Sequence, residues 1–152
     1  MPQLTPHFSL EELTVHPSTP NLSNLPDPPH LAALKNLAEF LERARAEALG
    51  GNAITINSAY RSPAVNKAVG GVPNSAHQQG HAADITCAGF GSPLRVAQAL
   101  QQWLTQKKIP FDQIIFEMDA WVHVALKNDQ RGQRRAFLTF DGSSYTDGIH
   151  PL

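Results

Sequence analysis

The chain contains one cysteine, Cys87, so no internal disulfide can staple it. At 152 residues it does not need one, because a domain of that length buries about two thirds of its chain surface on folding. Thiol catalysis finds no support either: Cys87 follows a predicted strand with no matching histidine constellation, and reads as a small buried side chain. Charge is also sparse. Asp, Glu, Lys and Arg make up 16% of the residues, the formal net charge is -1, and the basic residues are scattered. That excludes the clustered cationic footprint of a nucleic-acid binder or a membrane-surface protein. No apolar run approaches the roughly 20 residues of a membrane span. The opening Met-Pro-Gln-Leu-Thr-Pro-His-Phe lacks the basic start and apolar core of a cleaved secretory signal, so the expectation is synthesis in the cytoplasm. Internal repeats, low-complexity tracts and long linkers are missing too, and one domain over 1–152 is expected.

What is present is a mixture of periodicities. Residues 1–29, rich in Pro, Ser, Thr and Asn, read as an irregular arm packed on the domain, with one short helical turn at Ser9–Leu13. There Ser9 can cap and Glu12 follows three later. A long helix starts after Asp27, with Pro28 and Pro29 in its first turn. Leu31, Leu34, Leu37, Ala38 and Leu41 form its apolar stripe, and Gly50-Gly51 ends it. Ala53–Ser58 alternates as a strand. Ser62-Pro63 opens a short helix that Gly70-Gly71 closes, and Gly80–Thr86 reads as another strand. Ser92-Pro93 opens an amphipathic helix through Val96, Leu100, Trp103 and Leu104. Phe111–Glu117 and Trp121–Leu126 form a predicted hairpin. A strand at Arg135–Phe140 runs into the turn signal Asp141-Gly142, within a C-terminal β extension over 128–152. The order implies an α+β fold: a small, mainly antiparallel sheet packed with helices.

Seven histidines are present. His7, His16, His30 and His150 lie in the arms or at a helix start and read as solvated surface residues. The other three sit around one segment, Ser75-Ala76-His77-Gln78-Gln79-Gly80-His81-Ala82-Ala83-Asp84. A loop histidine is followed seven residues later by an aspartate inside a strand, with small residues between them. Imidazole and carboxylate are zinc ligands, and small neighbours let the backbone lie close to a metal. A third donor comes from strand alternation. A three-residue loop, Met118-Asp119-Ala120, pairs Glu117 with Trp121 and Ile115 with His123. The apolar faces of the two strands then coincide, and Gln113, Glu117, Trp121 and His123 share the opposite face. From alternation alone, that face is equally an ordinary solvated one. His81 points away from Asp84 and is read as a non-ligand.

These blocks resemble a known family. Ser75 to Asp84 matches the Ser-x-His-x-x-Gly-x-Ala-x-Asp signature of the zinc D-alanyl-D-alanine carboxypeptidases. Phage endolysins that cut between L-alanine and D-glutamate and vancomycin-resistance dipeptidases are also members, and Hedgehog signalling domains share the fold. Ser58-Ala59-Tyr60-Arg61-Ser62-Pro63 resembles the family's Ser-Gly-Tyr-Arg-Ser-Pro block. Asn66-Lys67-Ala68-Val69-Gly70-Gly71 resembles its bridge to the metal motif. Phe111–Glu117 followed by Trp121-Val122-His123-Val124 resembles the end of its site. The likeness covers roughly Phe8 to Lys127, in order, and is closest to the phage-type branch.

The resemblance implies a Hedgehog/DD-peptidase-like fold and Zn2+ held by His77, Asp84 and His123. It implies Arg61 as the cation that holds a substrate carboxylate or carbonyl, and Ser75 as a polar contact that could equally shape the loop. Trp121 falls beside them as a substrate-binding residue. Many members carry the general base three residues before the last histidine, where this chain has Ala120. Glu117, six before, matches the phage-type branch and lies on the site face; Asp119 is the competing base. The implied activity is hydrolysis of D-amino-acid-containing bonds in peptidoglycan peptides, by an endopeptidase or carboxypeptidase working as a monomer in phage-type wall lysis and released by a separate route. The implied alternative is a zinc-containing binding module of the same fold without catalysis.

Overall fold

Prolines and their capping neighbours decide where the helices of this protein begin. The computed structural model describes residues 2–129 and 131–152. Met1 of the expected arm and Gln130 of the expected C-terminal extension lie outside the described residues. Helix α1, Leu10–Thr14, carries the expected capping box: the Glu12 N–H donates to Ser9 Oγ, and the Ser9 N–H donates back to the Glu12 carboxylate. Helices α2 (Pro28–Glu47), α3 (Pro63–Ala68) and α4 (Pro93–Lys107) each start on a proline behind an Asp or Ser cap. The cap oxygens of Asp27, Ser62 and Ser92 accept from the N–H of His30, Val65 and Arg95 at 3.2, 3.3 and 3.3 Å. Proline costs nothing at these positions, because its missing N–H has no intrahelical partner there.

Six strands form the main sheet: β3 (Thr55–Ser58), β4 (Ala82–Thr86), β5 (Gln113–Glu117), β6 (Trp121–Ala125), β7 (Ala136–Phe140) and β8 (Tyr145–Asp147). Their spatial order is β3-β4-β6-β5-β7-β8. All neighbours run antiparallel except β5 and β7, which are parallel. The fold is therefore α+β with a mainly antiparallel sheet, as expected. The β5–β6 hairpin has the predicted register, with Glu117 opposite Trp121 and Ile115 opposite His123. Its turn puts Met118 and Asp119 at φ +55° and +56°, and the Ala120 N–H closes on the Glu117 carbonyl.

Three expectations need correction. The N-terminal arm is more ordered than its composition implied: β1 (Gln3–Thr5) and β2 (Phe8–Ser9) pair in a separate two-stranded sheet. Strands this short show no alternation to read. Leu31 is 38% exposed and does not belong to the buried stripe of α2, whereas Leu34, Leu37, Ala38 and Leu41 are fully buried. Leu31 sits in the first turn, beyond the edge of the core. Strand β4 begins at Ala82 rather than Gly80, because Gly80 takes φ +77° to close a 3-10 turn at Ala76–Gln79.

The core lies between helices α2 and α4 and one face of the sheet. Leu34, Leu37 and Leu41, with Val96, Leu100 and Leu104, join Ala83, Ile85, Ile114, Phe116, Val122 and Val124 in one cluster. Fully burying one such aliphatic or aromatic side chain stabilises the fold by about 1.5–3 kcal/mol. Cys87 is buried as expected, with its thiol directed at the Asn52 carbonyl. Among the described residues, no helix is long and apolar enough to cross a membrane.

Candidate metal centre and cleft

The face of the sheet turned away from that core carries the polar residues. Register brings three of them into one cross-strand row: Ser58 on β3 opposes Asp84 on β4, and Asp84 opposes His123 on β6. The row follows from antiparallel pairing, which sets side chains of opposed residues on the same face. His77 joins it from the 3-10 turn. Ser75 caps that turn, its hydroxyl accepting from the His77 N–H at 3.2 Å. The backbone of His77 is fixed further by the Arg61 N–H, which donates to its carbonyl at 3.1 Å.

The His77 ring is buried, and its Nδ1 lies 2.7 Å from the Ala59 carbonyl. A carbonyl can only accept, so Nδ1 carries the proton and Nε2 offers its lone pair. Asp84 Oδ1 lies 3.3 Å from His77 Nε2 and 2.9 Å from His123 Nδ1. One donor atom from each of the three residues falls within 4.8 Å of the others. Tetrahedral zinc ligands at about 2.0–2.2 Å from the ion lie roughly 3.4 Å apart, so two imidazoles and a carboxylate at this spacing fit the ion. The Nδ1–H bond of His77 to a backbone carbonyl is the outer-shell contact that metal-binding histidines ordinarily make.

Electrostatics agree with the geometry. Burial alone would push the Asp84 carboxyl up, yet the adjoining His77 and His123 rings hold it well below the usual carboxylate range. Burial lowers the pKa of His77 in spite of Asp84, favouring the neutral, lone-pair-bearing ring. For His123 burial acts downward, but the hydrogen bond and charge of Asp84 outweigh it and raise the pKa. Glu117 is half-buried, and burial raises its pKa above the ordinary glutamate value, with the Asp84 charge adding to the effect.

All seven residues expected at the site line one cleft of about 450 Å³: Arg61, Ser75, His77, Asp84, Glu117, Trp121 and His123. Arg61 is held at three points. Its Nε–H donates to Ser58 Oγ at 3.1 Å, Nη1 to Asn66 Oδ1 at 3.2 Å, and Nη2 to Asp84 Oδ2 at 3.5 Å. Asp119 is exposed in the hairpin turn and is not among the cleft-lining residues. His81 lines a different hollow with Gln79 and Lys127, apart from the His77, Asp84 and His123 group.

Sequence reading missed several supports. Asn24, in the arm, donates to the carbonyls of Thr14 and Tyr60 and accepts from the Ser62 N–H, tying the arm to the Arg61 segment. His16, read as a solvated histidine, lies 3.1 Å from Ser58 Oγ. Asp112 is fully buried and accepts two bonds from the Arg134 guanidinium, at 2.8 and 2.7 Å. No spacing rule links these pairs.

The sheet thus presents a His–Asp–His donor set that could hold a metal ion, beside a half-buried carboxyl and a clamped guanidinium. A family model described as Peptidase M15 matches residues 6–125, and the chain belongs to that family. Over 49 residues it is 43% identical to the zinc D-Ala-D-Ala carboxypeptidase of Streptomyces albus G. The match covers 32% of this chain and 19% of that relative, so the chain spans about a fifth of the relative's length.

Proposed function

We propose that this protein is a zinc peptidase that hydrolyses D-amino-acid-containing bonds in the stem peptides of bacterial peptidoglycan, as an endopeptidase or a carboxypeptidase. The observation that carries the reading is the convergence of His77, Asp84 and His123 with Glu117 and Arg61 in one cleft. The partial identity to a zinc D-Ala-D-Ala carboxypeptidase supports the substrate class.

In this reading His77 Nε2, Asp84 and His123 Nδ1 hold the ion. Zinc bound there supplies Lewis acidity and an activated water. Glu117, half-buried on the cleft wall beside the donor set, is the general base that takes a proton and returns it to the leaving amine. Arg61 presents a guanidinium that can bind a substrate carboxylate or stabilise negative charge on the attacked carbonyl. Its contacts with Ser58 and Asn66 hold that fork in place before substrate arrives. Trp121 offers an apolar wall opposite Glu117 in the hairpin. Ser75 shapes the His77 turn and borders the cleft, where it can also meet substrate. Asp119, in its exposed turn, is the less suitable base. The setting we infer is phage-type cell-wall lysis.

The test is incubation of the zinc-loaded protein with peptidoglycan, with and without a chelator, followed by mass spectrometry of the fragments. Release of new amines that the chelator abolishes is expected, and the fragment masses identify the bond. If the zinc-loaded protein releases none, the hydrolase reading fails and a zinc-containing binding module takes its place.

A further inference from the structure

We propose that His16, supplied by the N-terminal arm, is a positioning residue for Arg61, acting through the hydroxyl of Ser58. The chain of contacts is short. Arg61 Nε lies 3.1 Å from Ser58 Oγ, and Ser58 Oγ lies 3.1 Å from His16 Nε2. A guanidinium can only donate, so Ser58 accepts from Arg61. The serine then has one proton left to give. His16 Nε2 is its only other hydrogen-bond partner among the described residues, and in this proposal it accepts that proton as the Nδ1–H tautomer. Ser58 is buried on the site face, opposite Asp84.

Burial, the larger cause, and the Arg61 charge both lower the His16 pKa, in keeping with a neutral ring that accepts. Arm and site are joined a second time through Asn24, whose side chain bridges Thr14, Tyr60 and Ser62. His16 also borders a hollow of about 300 Å³ shared with Arg61, Asp84 and Trp121, beside the main cleft. The arm therefore contributes to the wall of the hollow beside the site. Its effect is to turn the Nε edge of Arg61 away from substrate and leave the Nη edge facing the metal ligands.

The proposal rests on the reading of Arg61 as the substrate cation, and two measurements keep the two apart. The first is kinetic. His16→Leu should lower kcat/KM on a stem peptide by roughly 3- to 10-fold, the worth of one hydrogen bond. His16→Gln, whose amide oxygen can stand in for Nε2, should restore most of it. In an Arg61→Lys background, which lacks the Nε–H, His16→Leu should have no further effect. Equal losses in both backgrounds, or no loss in either, would overturn the proposal. The second needs no activity. In the 15N spectrum of the zinc-loaded protein, the Arg61 Nε–H resonance, assigned by its absence from Arg61→Lys, should shift and exchange faster in His16→Leu but not in His16→Gln. An unmoved resonance in His16→Leu overturns the proposal even if no peptide is ever cut. A moved resonance in a protein that cuts nothing leaves the positioning contact standing and removes only the substrate role of Arg61.

Discussion

The two faces of the β5–β6 hairpin share one backbone and carry opposite chemistry. On one side Ile114, Phe116, Val122 and Val124 are at most 1% exposed and belong to the main core. On the other, Glu117, Trp121 and His123 border the cleft. One residue of shift along either strand would exchange the two sets. The close-packed face thus holds the register that aligns His123 with Asp84, and the polar face uses it. Substitutions on the two faces should therefore separate stability from activity.

The largest expected effect is on the polar face. Asp84→Asn should remove peptide hydrolysis to the detection limit and lower bound zinc well below one per chain, measured by metal analysis after dialysis. The metal-free variant should still melt cooperatively. A variant that keeps its zinc and its activity would break the assignment of Asp84.

Glu117→Gln should come next, with kcat reduced about 10²- to 10⁴-fold while zinc content is unchanged. The same change should stabilise the metal-free protein, with a defined pH dependence. The folded-state pKa of Glu117 is raised above its ordinary value of 4.5, so the native state prefers the protonated carboxyl. Wild-type stability then falls as pH climbs from about 4.5 through the raised pKa, and glutamine escapes that loss. The advantage of the variant in thermal melting should be absent below about pH 4.5 and complete once the wild-type carboxyl has ionised.

Phe116→Ala tests the other face. It should destabilise by about 3–5 kcal/mol in denaturant titration. Below its melting temperature it should retain zinc and a measurable kcat. If it instead lost zinc while still folded, the division between the faces would be less sharp than the burial pattern indicates.

The smallest effect belongs to the turn between the strands. Asp119→Gly relieves a non-glycine residue at φ +56° and should stabilise by up to about 1 kcal/mol, read from the unfolding midpoint, with activity unchanged. A large activity loss there would revive Asp119 as the base.

Sequence reading succeeded where neighbours in the chain determine the structure. Pro-led caps at Asp27, Ser62 and Ser92 announce the helices, because cap and helix start lie within three residues. The hairpin register was legible because a three-residue loop makes both apolar faces coincide. From there, Glu117, Trp121 and His123 fell on one side without further assumption. Asp84 and His77 needed the likeness to known motifs, since nothing local says which strand will lie beside β6. Pairings over long separations stayed hidden for the same reason. Neither the parallel placement of β7 on β5, nor Arg134 on Asp112, nor His16 on Ser58 leaves a period in the sequence. His16 looked like a solvated histidine in a proline-rich arm because the partner that buries it lies 42 residues away.

Gly80 shows how the long helix and the cleft are mechanically one piece. A Cβ at this position would come within 2.9 Å of the His30 carbonyl in the first turn of α2, and φ +77° already disfavours any side chain. The turn that carries His77 therefore rests directly on the helix, like a gauge block on an anvil. Loosening the contact would lift His77 away from Asp84 and uncover the helix start in the same movement. Heat should then dismantle the donor set and the α2 interface in one step, and even the single methyl of Gly80→Ala should register both as lower metal affinity and as an earlier melt.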